Sequence, residues 1–403
     1  MNRYAVVFAL FLLSMITFVD RVCLSAGKSS IAAEIKLSDT AMGLVFSAFA
    51  LGYALGQIPA GWLADKAGPR VAMSVVVGCW SLLIALAGTA WNLASLVTFV
   101  FLFGVGEAGA FPGGLRAICN WLPPGERGRA NGILFSGSRL GAAVSFPLLA
   151  WMLARWQWRL SFQILGGMGL VWAVVWLLWF RDHPASPRVS NPALAEVNAS
   201  FAAILSSTPM VLAIVQYFAL NFTFFISVSW MLPYLKSKYN LTDSHAALYA
   251  MTPLLFGASA QWIAGWVVDR IYRSSLRSWS RRLPGIFGLV LAATGVLALT
   301  RAGTPGAAVV CFTLAAFGVD MTVGPSWVFC ADIAGKNAGS VSAAMNMFGN
   351  FGAFVSGVSF PYLHKVTGSA TTYFLLAALL NLIGAICWFK MRSFERGGIS
   401  QRL

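Results

Sequence analysis

Charge is what this chain has least of. Only 10% of its 403 residues are charged, where soluble domains carry about 25%. A mean hydropathy of +0.74 and a hydrophobic share of 58% point the same way, and together they exclude a soluble globular protein. Histidine is almost missing. His183, His245 and His364 fall in loops or near segment ends, so no imidazole relay is expected. The six cysteines (Cys23, Cys79, Cys119, Cys311, Cys330 and Cys387) lie in or beside apolar stretches without a CxxC pair, which leaves them structural rather than metal-binding or disulfide-forming. A nucleotide-binding glycine loop, an HExxH motif and a Ser-His-Asp arrangement are absent as well. No catalytic residue, metal or cofactor is expected.

What is present is apolar length. Stretches of about 20 apolar residues read as membrane helices, and they fall near 4–26, 41–64, 72–90, 93–117, 131–152, 160–180, 207–235, 246–268, 284–301, 306–331, 339–364 and 371–391, here numbered spans 1 to 12. The 30 Phe and 16 Trp suit lipid-facing surfaces, and Trp172, Trp176 and Trp179 are expected to face lipid or form an interfacial belt. A net charge of +15 invites a nucleic-acid reading, but most of the 28 Lys and Arg residues fall on one side of this segmentation. That bias is the positive-inside rule and predicts cytoplasmic termini, with membrane lipids rather than nucleic acid as neighbours. Span 1 has only Arg3 ahead of it and no A-x-A site, so it is expected to remain as a span.

The longest polar stretch, Arg181 to Ser207, contains His183-Pro184, Pro187 and Asn191-Pro192. It divides the chain into a bundle at 1–180, a cytoplasmic linker at 181–206 and a bundle at 207–403. The halves look like repeats. Gly61-Trp62-Leu63-Ala64-Asp65-Lys66 returns as Gly265-Trp266-Val267-Val268-Asp269-Arg270, an offset of 265 − 61 = 204. Phe103-Gly104-Val105 returns as Phe317-Gly318-Val319, and Val144-Ser145-Phe146-Pro147 as Val358-Ser359-Phe360-Pro361, both offset by 214. Parallel six-span repeats place a substrate site at the midplane between bundles that rock. The fold class is therefore an all-α membrane protein with twelve transmembrane helices in two pseudo-symmetric six-helix bundles.

Few ions lie within the spans. The acids are Asp20, Glu107 and Asp320, and the cations Arg21 and Arg139. Each costs several kcal/mol there, about 2.5–3.5 on insertion scales, and so reads as functional. Asp20 and Arg21 point about 100° apart on a helix and cannot simply neutralise each other. Arg holds a permanent charge and grips carboxylates through two parallel hydrogen bonds, while buried carboxyls beside it suit proton loading. Static ion pairing is the bland alternative, with Arg139 bridging to Glu107 or Asp320. Asp320 is either a second proton or cation site or a counter-ion for Arg139. Tyr217 with Asn221, and Ser342, Asn346 and Asn350, are spaced to share helix faces, as pocket groups or as interhelical glue.

The stretch Gly-Trp-Leu-Ala-Asp-Lys-Ala-Gly-Pro-Arg at 61–70 resembles the loop 2–3 signature of the major facilitator superfamily. The resemblance covers essentially the whole chain and implies that Asp65 and Arg70 are gating residues. A narrower resemblance is to the anion:cation symporters, which include bacterial importers of sugar acids such as galactonate. It rests on Phe18-Val19-Asp20-Arg21, Phe46-Ser47-Ala48-Phe49 through Tyr53 to Gln57-Ile58-Pro59, the run from Gly104 to Gly113, Gly324-Pro325-Ser326-Trp327 with Asp332, and Asn346-Met347-Phe348-Gly349-Asn350. It implies proton coupling at Asp20 and Glu107, and substrate contacts from Arg21, Tyr53, Trp327 and Asn346, with Gln57 and Ser326 from the same stretches. Phe18 stands where the family often has Tyr, and Val100 where it usually has Arg; Arg139 is expected to replace that lost cation or to counter Glu107.

The expectation is a monomeric transporter in the bacterial inner membrane, importing a small organic anion such as a hexonate, hexuronate or aldarate, with the proton as coupling ion. Asp20, Arg21 and Glu107 should then face a wet cleft. An antiporter exporting a drug or exchanging phosphate esters is the rival within transport, and a membrane enzyme or non-transporting sensor the rival outside it.

Overall fold

The computed structural model describes residues 2–184, 200–241 and 243–391. Most of the expected linker and the basic residues Arg188, Arg392, Arg396 and Arg402 lie outside the described residues. Each expected span is helical to within a few residues at its ends, and no strand occurs among the described residues. This follows from the solvent, because a bilayer supplies no partner for a bare N–H or C=O and a helix satisfies both internally. Large apolar side chains point outward accordingly, among them Phe8, Leu55, Leu178 and Phe354, which would be liabilities in water.

Spans 2 and 3 run as one helix, Asp39–Ala87, broken at Gly68, whose φ of 76° lies in the left-handed region, just before Pro69. Spans 10 and 11 are Pro305–Ala334 and Ala338–Thr367, joined through a short 3-10 turn at Gly335–Asn337. Span 4 is interrupted: Leu93–Glu107 ends at the acid, and Ala110–Trp121 resumes after a two-residue turn. Pro112 lies in the first turn of the second piece and has no N–H to give back to the interrupted carbonyls. A short helix between spans 1 and 2, Lys28–Ile35, was not anticipated from the sequence.

The chain forms two compact units. Unit 1 comprises Met1–Leu122, Gly137–Ala195 and the distant segment Lys336–Ala344; unit 2 comprises Pro123–Ser136, Glu196–Gly335 and Met345–Leu403. In unit 1 the Asp39–Ala87 helix packs on spans 4 and 6. In unit 2 spans 8 and 9 pack on span 10, and spans 7 and 9 on span 12. An aromatic cluster of Phe222, Phe312, Tyr373 and Phe374 fills one end of unit 2.

Trp176 corrects the expectation of a lipid-facing belt. It is buried, stacks on Trp172 at 4.9 Å and on Phe180 at 4.0 Å, and donates to the Pro69 carbonyl at 3.1 Å. Its indole anchors loop 2–3 to span 6. Trp179 remains 38% exposed.

Candidate functional site

Two glycine contacts bring span 2 against span 4. A Cβ on Gly52 would stand 2.1 Å from the Phe101 carbonyl oxygen, and one on Gly104 would stand 2.3 Å from that of Phe49. The backbones therefore touch, and Tyr53 and Glu107 reach the same place as span 1's Arg21. The Arg21 Nε donates to Glu107 Oε1 in an ion pair inside unit 1. The guanidinium lies over three rings, 5.0 Å from the centre of Phe18, 5.6 Å from Phe49 and 4.4 Å from Tyr53. Each such contact is worth about 0.5–2 kcal/mol. Phe18, which lacks the hydroxyl usual in the family, thus still supplies a ring face.

Asp20 points away from Arg21, as the 100° step requires, and its Oδ2 accepts from Trp80 Nε1 on span 3 at 3.2 Å. Several polar atoms here are buried without a hydrogen-bond partner: Asp20 Oδ1, Arg21 Nη2, Glu107 Oε2, and both Oε1 and Nε2 of Gln57. Native interiors rarely leave such atoms unpaired, and their concentration on spans 1, 2 and 4 makes this part of unit 1 the candidate site. The expectation that all three ions face water needs correction. Asp20 and Glu107 have no exposed surface, while the Arg21 side chain is 22% exposed. Arg21 is the accessible member, and the acids lie behind it.

Arg139 is buried on span 5 and engaged by neighbours. Glu107 pairs with Arg21. That pairing could not be read from spacing along the chain, because the partners are 86 positions apart.

In unit 2, Asp320 Oδ1 accepts from Gln261 Nε2 on span 8 at 2.9 Å. Trp327 is fully buried, donates through Nε1 to the Tyr217 hydroxyl at 2.8 Å and lies 5.0 Å from the Phe135 ring. Ser326 is fully buried and holds Gln216 and the Thr322 carbonyl, a packing role in this structure. Asn346 is 8% exposed, and Asn350 donates to its carbonyl at 2.8 Å.

The two presumed gating residues separate. Asp65 accepts from the amides of Gly339 at 2.8 Å and Ser340 at 2.7 Å and from Ser340 Oγ at 2.8 Å, with Arg116 Nε at 3.9 Å. Those amides open span 11, so Asp65 caps a helix distant in sequence and meets its positive end. Close approach makes this possible: a Cβ on Gly61 would stand 2.6 Å from the Gly339 carbonyl oxygen. Arg70 does something different. Its Nε donates to the Leu177 carbonyl and its amide to Asp182, both at 2.8 Å, tying loop 2–3 to the end of span 6.

Unit 2 repeats the capping arrangement. Asp269 accepts from the amides of Gly128 at 2.9 Å and Arg129 at 3.0 Å, which open span 5. Burial pushes the Asp269 carboxyl, one residue beyond span 8, up to about 6, although these two amides pull the other way. Sequence reasoning singled out Asp65 but left Asp269 as one residue of a repeat; the offset of 204 was the signal that could have promoted it.

Known proteins resemble this chain along most of its length. The family model described as Major Facilitator Superfamily matches residues 10–357. A probable sulfoacetate transporter of Cupriavidus necator is 32% identical over 398 residues, covering 96% of this chain and 93% of that protein. A hexuronate transporter of Bacillus subtilis is 26% identical with coverage of 96% and 93%. A probable galactarate/D-glucarate transporter of Escherichia coli is 28% identical with coverage of 96% and 94%. Among solved structures, the transporter FucP in the outward conformation superposes with a TM-score of 0.78 at 16% identity, covering 95% of this chain and 97% of that one. The proton:xylose symporter XylE gives 0.76 at 13% identity, covering 96% of each chain. At such identities the structural likeness establishes the fold alone.

Proposed function

The chain belongs to the Major Facilitator Superfamily and is a multi-pass membrane transporter rather than an enzyme, and from that premise we propose that it imports a small organic anion together with protons. The observation that carries this reading is the Arg21–Glu107 pair, with Asp20 beside it and unpartnered polar atoms around it. A carboxylate or sulfonate competes with Glu107 for the guanidinium, which has a free Nη2 to offer a second bond. Displacing Glu107 from Arg21 favours its protonation, so anion and proton load together. The unpartnered oxygens of Asp20 and Glu107 are the positions where the protons are taken up.

The cargo is a sugar acid or a comparably small sulfonate. The relatives are named as a probable sulfoacetate, a hexuronate and a probable galactarate/D-glucarate transporter, and these compounds share an oxyanion next to further polar groups. Tyr53 and the Gln57 amide supply hydrogen bonds to such groups, while Asn346 and Trp327 are kept as substrate contacts on the family resemblance alone. Arg139 and Asp320 supply further charge near the pathway. The protein works as a monomer in a bacterial inner membrane with cytoplasmic termini, the bundles at 1–180 and 207–403 alternating in access. Asp65 and Asp269 act as latches released in each cycle, and Arg70 holds loop 2–3 in place for them.

Uptake of sulfoacetate, D-glucarate and D-galactonate into proteoliposomes, with and without an inward proton gradient, tests the reading. Gradient-driven accumulation of at least one is expected. Exchange indifferent to the gradient would establish the antiporter instead, and no movement of any of the three would end the organic-anion reading.

A further inference from the structure

Unit 2 contains a polar cavity whose lining includes none of the ions described above. It lies where spans 7, 9 and 11 end and span 12 begins, the extracellular side in the topology proposed here, and holds about 380 Å³. Pockets that take small molecules begin at roughly 300 Å³. Lys238, His364, Tyr234, Thr300, Ser369 and Thr371 line it, and neither Asp nor Glu is among its lining residues.

The charged side chains lining this cavity have one sign. The Lys238 ammonium donates one bond to the Tyr234 hydroxyl at 2.8 Å and lies 5.3 Å from the ring centres of both Tyr234 and Tyr239. An ammonium has three donors, so the tyrosines orient it without exhausting it. His364 contributes a ring N–H in either protonation state. Span 12 starts at Thr371, whose amide donates to Ser369 Oγ at 3.1 Å, while Ala370 before it brings no capping side chain, and the positive end of a 20-residue helix favours an anion. The carbonyl ends of spans 7, 9 and 11 oppose this in part, and those of spans 9 and 11 are hydrogen-bonded locally. Thr300, Arg301 and Ala302 donate back to Leu297, Ala298 and Leu299, and Gly368 donates to His364. The hydroxyls of Ser369 and Thr371 are bonded to each other at 3.0 Å and leave acceptors and a donor for a polyol.

We propose that this cavity is a second anion site, binding small carboxylates or sulfonates through Lys238, His364 and the first turn of span 12. Its use as a staging point rests on the import reading, since an importer gains from anions concentrated at its outer mouth. Lys236, Arg301 and Lys365 in the adjoining segments add to the attractive field. Binding itself does not depend on import.

The test uses the full-length protein carrying Ser237→Cys at the cavity wall and the rate at which a neutral maleimide modifies that thiol. Sulfoacetate or D-glucarate at millimolar concentration is expected to slow the reaction several-fold, and neutral galactitol is not. Protection should persist when Arg21→Ala is added, because Arg21 is not among the residues lining this cavity. It should vanish with Lys238→Gln and return with Lys238→Arg; Lys238 is exposed, so its replacement does not threaten folding. Absent protection, protection that survives Lys238→Gln, or protection lost with Arg21→Ala would each overturn the proposal. Proteoliposome uptake fails or succeeds independently of this readout, so the two readings fall separately.

Discussion

Arg21 carries the most consequence of any single residue. Replacing it with Ala strands the Glu107 carboxylate, and breaking a buried ion pair from one side costs about 3–5 kcal/mol. Arg21→Ala should therefore lower the melting temperature and abolish uptake. Adding Glu107→Gln should restore much of the stability but none of the transport, since the anion grip stays lost; thermal denaturation of the single and double variants in detergent checks this. Arg21→Lys should fail as well, because an ammonium cannot make the planar two-bond grip. Glu107→Gln alone should leave counterflow intact while removing the response to a proton gradient. If this variant still accumulates substrate against its gradient, Glu107 is not a coupling site. These residues were legible in the sequence because an ion in an apolar run is conspicuous. The pairing was not: Arg139 was as plausible a partner for Glu107 until the structure placed Arg21 of span 1 at Glu107, where Gly52 and Gly104 bring spans 2 and 4 together.

At the scale of elements, the helix starts of spans 5 and 11 depend on carboxylates borrowed from the ends of spans 8 and 2. Losing a cap costs about 0.5–2 kcal/mol, so Asp65→Ala and Asp269→Ala should each destabilise by that amount. Gly61→Val should do more, because its side chain would enter the Gly339 backbone. Asp269 also gives a pH signature. Its folded value, about 6, exceeds the ordinary 3.8, so its contribution is full below 3.8 and is lost as pH rises through about 6. Asp269→Asn should flatten the fall in stability across that interval, measured by thermal melts at stepped pH. Glu34 has the opposite sign. Hydrogen bonds from Arg159 and Trp158 hold its carboxyl below the ordinary 4.5, so its contribution exists above that value and disappears as pH falls through the lowered one. The advantage of the wild type over Glu34→Gln should shrink in acid. Helix positions were readable because about 20 apolar residues in a bilayer have no other regular option. The break after Glu107, the inward turn of Trp176 and the helix at Lys28–Ile35 were not, since each is decided by neighbours that composition does not reveal.

For the whole molecule, the repeats seen as short recurring motifs are expressed as matching contacts: Asp65 meets span 11 as Asp269 meets span 5. If these caps are latches, Asp65→Asn with Asp269→Asn should change the turnover rate of uptake more than its apparent affinity, a split that initial-rate measurements over a range of substrate concentrations would show. The partition of the chain has a further consequence for biogenesis. Unit 1 is finished only by Lys336–Ala344, so for most of translation the early spans rest in the bilayer with the Asp65 carboxylate lacking its amides. Insertion proceeds from the N-terminus, but the Asp65 cap forms only after span 11 has left the ribosome.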